Sequence, residues 1–322
     1  MTDKPTNRLF GRKWKIIVAD PSGNQGWNVS DSDWSNDALN CRFTIQQALG
    51  KLPWCADIQI WNLAGDTQNE IINNSRQGFN VYVEAGYQSG SYGKIFDGQI
   101  FQPLFDRQNV TDFITTLNCI NGFGIITANI CSMTIEGGYD YAGIITRMAQ
   151  SARKPIAVNK IADSMEDKKS VRGMTFYGDP RRYIHDICRD QNTQAMYDGA
   201  LNIVDITEES PDPPIVVTPE TGLIGTPQQI EGGISFKVLL NPQIMVKKPS
   251  MMVKIDNAII RQQKIHLGQL ISPLDQDGLY KVIKVVHTGG TRENDWYTEV
   301  VGVNHVFPVG FITSLIQAGY LN

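Results

Sequence analysis

The chain has 322 residues, of which 41% are hydrophobic and only 19% charged, with a formal net charge of -4. That length accommodates two or three domains with sizeable cores. The acidic balance, with basic residues only in pairs such as Arg153-Lys154 and Lys247-Lys248, argues against a protein that holds nucleic acid by neutralising many phosphates.

The first part of the chain reads as mostly strand, by alternation with period two. Trp14, Ile16 and Val18 share one face, Ile58 and Ile60 another, and Val81, Val83 and Ala85 a third. Between Pro21 and Asp37 a Gly/Asn/Ser/Asp-rich stretch predicts a long loop. Gly86-Tyr87, a glycine-rich turn and Gly93-Lys94-Ile95-Phe96-Asp97-Gly98 predict a hairpin. Ile95 to Phe101 carries large apolar groups on both faces, which predicts a central strand covered on both sides. Val110 to Ile120 predicts a further Thr-rich strand.

The middle of the chain changes character. Asp140 is placed to cap a helix carrying Ile144, Ile145 and Met148. Gly178-Asp179-Pro180 starts a second helix, with Tyr183, Ile184, Ile187 and Cys188 on one face. Tyr197-Asp198-Gly199 predicts a turn before a short strand at Leu201 to Val204. From Glu208 to Gly233 the chain is Pro/Gly-rich and predicts a linker or extended crossing segment. Strand alternation then returns at Ile234 to Leu240, Met251 to Ile255, Leu279 to Val286 and Trp296 to Val303, before a short amphipathic helix from Phe311. The two β regions share a layout: Val81 to Gly86 corresponds to Val253 to Asn257, Gly93 to Gln102 to Gly278 to His287, and Thr111 to Cys119 to Trp296 to Val303.

Catalytic and metal-binding patterns fail one by one. A phosphate loop at Gly90-Ser91-Tyr92-Gly93-Lys94 would need Gly and a hydroxyl where Gln88 and Ile95 stand. A calcium loop opening at Asp31, Asp33 and Asp37 would need Gly and Glu where Asn36 and Arg42 stand. His185, His266, His287 and His305 are isolated, and no G-x-S-x-G elbow offers a nucleophile for His185. Glu84, Asp97, Glu136 and Glu299 lie in or beside predicted strands, but sequence pairs none of them into a glycosidase couple. Tyr183, Tyr197, Trp296 and Tyr297 are ordinary sheet aromatics rather than a sugar platform. Cys41, Cys55, Cys119, Cys131 and Cys188 have neither C-x-x-C nor zinc spacing, which predicts reduced thiols folded in a reducing cytoplasm. The polar Met1 to Asn7 has no secretory apolar core, and no run approaches the roughly 18 apolar residues of a membrane span.

In order along the chain stand Gly86-Tyr87, Gly93-x-Ile-Phe-Asp-Gly, Asn121-Gly122, Tyr197-Asp198-Gly199-Ala200-Leu201, Leu239-Leu240-Asn241-Pro242-Gln243-Ile244, Leu274 to Val282, and His287 through Arg292 to Trp296-Tyr297-Thr298-Glu299. This series resembles the baseplate hub proteins of contractile-tailed bacteriophages, related in fold to the hub part of type VI secretion spikes. One departure is Lys247-Lys248-Pro249, where the family pattern reads Pro-Gly. The resemblance implies an α+β, mainly β fold: two tube-like antiparallel β-barrel domains with a small α/β unit between them. Their expected bounds are 1–125 for the first barrel domain, 126–207 for the α/β unit, 208–233 for the linker, 234–308 for the second barrel domain and 309–322 for a helical tail. It further implies a structural virion protein of the tail baseplate, assembled in the host cytoplasm. Its expected partners are two further copies in a homotrimer, the tail tube protein, the central spike protein and other baseplate proteins. DNA is expected only in passage through the lumen, with no membrane insertion. No catalytic, cofactor-binding or metal-binding residue, and no cofactor, is expected. The competing readings are a tail-associated cell-wall hydrolase, which would need a carboxylate pair or zinc site, and a carbohydrate-binding adsorption protein.

Overall fold

The computed structural model of the chain describes residues 9, 11–20, 26–33, 38–49, 53–74, 78–122, 129–205, 212–230, 233–246, 251–262 and 274–304. Its first part holds β1 (Arg12–Ala19), β2 (Gly26–Asp31), β3 (Cys41–Ala48), β4 (Cys55–Trp61), α1 (Gly65–Asn74), β5 (Asn80–Tyr87), β6 (Tyr92–Arg107) and β7 (Phe113–Ile120). The middle holds β8 (Cys131–Ile135), α2 (Tyr141–Ser151), β9 (Val158–Lys160), β10 (Met174–Gly178), α3 (Pro180–Asp190), β11 (Thr193–Asp198) and β12 (Ala200–Asp205). The last part holds β13 (Ile215–Val217), β14 (Leu223–Ile230), β15 (Gly233–Leu239), β16 (Met252–Ile255), β17 (Leu279–Gly290) and β18 (Trp296–Asn304). The protein is mainly β.

Both β regions belong to one 13-stranded sheet, in the order β14-β15-β18-β17-β3-β4-β7-β6-β5-β1-β2, with β16 on β17 and β13 on β16. Alternation sets the faces: in β3, Cys41, Phe43, Ile45 and Gln47 are buried while Arg42 and Thr44 are exposed. A single apolar core runs from Ile16 and Val18 to Val300 and Val303, so the two β regions share their buried face. The sheet curls around that core. Gln47 on β3 donates from Nε2 to the carbonyl of Ile95 on β6, 2.9 Å away, although β4 and β7 lie between those strands in the hydrogen-bonded order.

The two regions repeat one topology. In chain order β3, β4, β5, β6 and β7 lie in the sheet as 3-4-7-6-5, and β14 to β18 lie as 14-15-18-17-16. All the pairings in both sets are antiparallel. The irregularities also coincide. A bulge at Phe101 interrupts the β6–β7 ladder, and a bulge at Ile283 interrupts the β17–β18 ladder. Aligned on that bulge, Val81 corresponds to Val253 and Phe113 to Trp296. The layout correspondence read from sequence thus pairs the right strands, with β6 displaced by three residues and β7 by two.

The middle unit has a core of its own, in which Ile144, Ile145 and Met148 of α2 meet Ile184, Ile187 and Cys188 of α3, with Leu201 and Ile203 of β12. Asp140 accepts from the N–H of Gly143, and Asp179 accepts from the N–H of Arg181 at 2.9 Å with Pro180 in the first turn, so both helices start where their caps predict.

Three expectations need correction, and one needs an addition. The 21–37 loop contains β2, because Val29 is buried and the Trp27 ring packs 5.6 Å from Phe79. The first region is mostly strand as expected but also holds the polar helix Gly65–Asn74, whose periodicity is hidden because Ile71 is its one fully buried side chain among the described residues. Residues 208–233 are more than a linker, since β13 and β14 lie there and β14 forms a hairpin with β15. Pro227 is tolerated in β14 at the irregularity between Ile224 and Gln228. Finally, β6 is covered on both faces only as far as Ile100; Phe101 is 46% exposed. The C-terminal helix expected from 309 lies outside the described residues.

Gly86 marks the closest approach in the β5–β6 hairpin. At φ 155° any Cβ on it would overlap the carbonyl oxygen of Ser91 and come within 2.7 Å of the Tyr92 Cα, both of them backbone atoms that cannot swing away. Gly86→Ala is expected to lower unfolding free energy by at least about 2 kcal/mol. Gly65→Ala, with nothing within 4 Å of the new methyl, should cause no loss. Urea titration of both variants checks the contrast.

Candidate functional site

The side chains tested for chemistry in the sequence are engaged structurally. Gly90 and Ser91 form the β5–β6 turn, with the Tyr87 N–H donating to the Ser91 carbonyl at 3.1 Å. Asp31 lies 3.9 Å from Lys15, and Asp33 lies 3.6 Å from Lys13. Glu84 accepts from the Tyr92 hydroxyl at 2.8 Å, while Lys94–Asp97 and Lys237–Glu299 form ion pairs at 2.8 Å. Glu136 is exposed. His185 lies on α3, whereas Asp37, His266 and His305 fall outside the described residues. All five cysteines are free, and burial pushes the Cys41 and Cys188 thiols up to about 12, far from the thiolate that reactivity requires. Among the described residues no group of three or more His, Cys, Asp or Glu side chains could hold a metal ion.

Three other features of the fold stand out. The first element is the internal seam, where Lys284 to Gly290 of β17 pair with Arg42 to Ala48 of β3 and fuse the two repeats. Three devices hold it. Trp296 sits between Phe43 (5.6 Å) and Trp14 (6.3 Å) in edge-on contacts. Arg12 stacks 5.4 Å from the Trp296 ring and donates to the carbonyls of Gly290, Glu293 and Asn294, closing the β17–β18 turn. Gln47, fully buried, donates to Ile95 and accepts from the Val246 N–H at 3.1 Å, satisfying backbone groups of both repeats. The 88–91 turn also reaches across: Ser91 Oγ donates to Asn241 Oδ1 at 3.1 Å.

The second element is an exposed arm. Beyond Gln99, the last residue paired with β5, the β6 strand runs on to Arg107 and, among the described residues, pairs there with β7 alone. Phe101, Leu104 and Phe113 are 46, 44 and 48% exposed, and Val110 at the tip is 82% exposed. The arm is rigid by construction. Asn109 Oδ1 accepts from the N–H groups of Thr111 and Asp112, both at 2.8 Å, and Arg107 folds back to the Val110 carbonyl at 2.7 Å. Trp61 donates to Gln108, and Asn62 exchanges hydrogen bonds with Asp112 and Phe113. A preorganised apolar projection of this kind suits a protein contact.

The third element is a polar joint. Asp97, Gly98, Asn121, Gly122, Asp198 and Gly199 line a cavity of about 210 Å³ where the sheet meets the α/β unit. Three of the sequence motifs, far apart in the chain, therefore converge on one place. The buried Asn121 donates to Asp198 Oδ1 at 3.2 Å and pins the β11–β12 hairpin to the end of β7. Sequence reasoning named these residues but gave no sign that they meet. The seam residues Arg12 and Gln47 were missed; a buried glutamine in an alternating strand was the available signal.

A family model described as baseplate hub gp41 matches residues 28–254. No curated protein sequence matches the chain. Among solved structures, the fold is similar to the 43 kDa tail protein of prophage MuSo2 from Shewanella oneidensis (TM-score 0.57, 7% identity, 92% of this chain and 97% of that one). It is equally similar to a tail protein from Neisseria meningitidis MC58 (TM-score 0.57, 10% identity, 92% and 97%). A third similar structure is the E. coli c3393 protein, a component of the type VI secretion system with structural similarity to the T4 bacteriophage tail proteins gp27 and gp5 (TM-score 0.53, 7% identity, 82% and 73%).

The seam carries a pH dependence. His287 on β17 is fully buried, with Nδ1 2.9 Å from Thr298 Oγ1 and Nε2 without a hydrogen-bond partner, and desolvation lowers its pKa to about 3. It stays neutral in the fold, while the unfolded chain takes up a proton below its ordinary value of 6.5. This contribution to stability is complete above that value and is lost as pH falls toward the folded one. Between pH 7 and pH 5 the expected loss is about 2 kcal/mol. His287→Leu should lack this increment, as urea titrations at the two pH values would record.

Proposed function

The chain belongs to the baseplate hub gp41 family and is a structural, non-enzymatic component of the virion tail; from that premise we propose that three copies close into the hub ring of the baseplate. Residues 1–125 and 234–308, the latter completed by β13 and β14 from the 208–233 segment, act as two tube-like domains. The α/β unit of 126–207 stands beside them. Three chains contribute six such domains, and the ring meets a six-fold tail tube on one side and a three-fold central spike on the other. Other baseplate proteins bind its outer surface, and DNA passes through the lumen during ejection.

The observation that carries this reading is the doubled topology, five strands in the same sheet order with a bulge at the same place in each set. Such a duplication has a geometric use. Closed cyclic assembly of identical chains produces only the symmetry of the chain number, and two like domains per chain add a pseudosymmetry of twice that order. The net charge of -4, with basic residues in no longer run than a pair, supports passage of DNA without the tight hold that neutralising many phosphates would give. The free cysteines support assembly in the reducing cytoplasm of the host.

Native mass spectrometry of the purified protein at micromolar concentration tests the stoichiometry. A species at three times the chain mass of 35.9 kDa is expected. A monomer, or an even-numbered assembly, at every concentration would remove the proposal.

A further inference from the structure

The polar joint between the sheet and the α/β unit holds more hydrogen-bond acceptors than donors. Its cavity of about 210 Å³ is walled by Asp97 and Gln99 of β6, Asn121 just past β7, and Asp198 of the β11–β12 hairpin. Two carboxylates alone would say little, but the amides between them say more.

Asn121 is only 3% exposed, and its neighbour decides its orientation. A carboxylate can only accept, so the atom facing Asp198 Oδ1 at 3.2 Å must be the amide nitrogen. The amide oxygen is thereby turned toward Gly199, which lines the cavity: a Cβ built on Gly199 would stand 3.6 Å from that oxygen. Among the described residues nothing donates to it. A buried acceptor of this kind normally has a partner.

The same logic runs along the opposite wall. Asn80 donates from Nδ2 to the Asp20 carbonyl at 3.4 Å, which turns its Oδ1 toward Gln99 Nε2, also at 3.4 Å. Gln99 Oε1 is the acceptor that remains. Asp97 accepts on Oδ2 from Lys94 at 2.8 Å and keeps Oδ1 for a second donor. Lys94 stands in the field of both carboxylates: its pKa is raised, first by the hydrogen bond to Asp97 and then by the charges of Asp97 and Asp198. One ammonium against two carboxylates leaves the cavity net negative.

An occupant must therefore be cationic, rich in donors, poor in acceptors, and able to reach separate walls at once. A guanidinium meets all four conditions, with five N–H donors in a plane, no acceptor and weak hydration. An ammonium is a compact point charge and reaches one wall. A divalent ion is opposed by Lys94, and no group of three or more acidic, histidine or cysteine side chains is gathered for it among the described residues. We propose that the joint is a guanidinium site that receives an arginine side chain presented by another baseplate protein. The source of the arginine rests on the baseplate reading above, whereas the chemistry of the site does not. The bound guanidinium bridges β6 to the β11–β12 hairpin and adds a second tie beside the Asn121–Asp198 bond. The partner thus fixes how the α/β unit stands on the sheet.

Calorimetric titration of the full chain with N-acetylargininamide tests the site. One saturable binding event per chain is expected, at least about tenfold tighter than that of N-acetyllysinamide or of calcium ion. Asp97→Asn should weaken it by about tenfold or more with an unchanged circular dichroism spectrum. Lys94→Ala, which removes the competing ammonium, should tighten it, an effect that misfolding cannot imitate. Methylguanidinium, the head group alone, separates a free small cation from an arginine carried on a backbone. If it binds about tenfold tighter than N-acetylargininamide, the protein partner is overturned. No saturable binding, equal binding of the lysine probe or of calcium, or binding indifferent to both substitutions would overturn the site itself. Native mass spectra of the same samples read the three-fold assembly separately, so failure of the site leaves the ring standing and failure of the ring leaves the site standing.

Discussion

Pairing of strand edges is the constraint on which this molecule is built. A strand edge is a row of backbone donors and acceptors that must find partners in protein or in water. The chain solves this once internally, by laying β17 against β3. That single ladder turns two repeats into one sheet with one core. Removal of the seam would expose both edges and open the core between them. Two polar side chains bridge it: Gln47 satisfies backbone of both repeats, and Arg12 closes a turn 278 residues away. The aromatic cluster of Trp14, Phe43 and Trp296 fills the space between these polar groups.

The rest of the chain is subordinate to that sheet. The α/β unit has its own core and capped helices, and it is tied to the end of β7 through Asn121 and Asp198. The charged side chains of the sheet lie mostly in pairs on its outward face, where exposed ion pairs add little to stability but keep the surface soluble. Among the described residues, Glu84, Asp97 and Glu299 are paired and His287 is buried. Such a distribution suits a part whose function is shape and symmetry.

Much of the fold was legible in sequence because period-two alternation and helix caps act locally. Asp140, Asp179 and Pro180 marked both helix starts of the α/β unit, and the three strand pairs of the layout comparison are the true counterparts. The failures have physical causes. Helix α1 buries little and so shows no periodicity, and β2 and β14 are held by tertiary contacts and ladder bonds that their Gly-, Asn- and Pro-containing sequences do not advertise. The bulges at Phe101 and Ile283 and the one-sided edge of β6 were beyond reach, because register exists only between strands. The repeat was thus readable as a layout of strands, but the residues of the seam that joins its halves were not.

The central claim is that the two repeats of each chain are equivalent units of one closed ring. Electron microscopy of the purified assembly, viewed down its axis, addresses it most directly. The account requires three-fold particles whose ring density is dominated by a six-fold component. A ring with three separate lobes and gaps between chains, or a particle without three-fold symmetry, would contradict it.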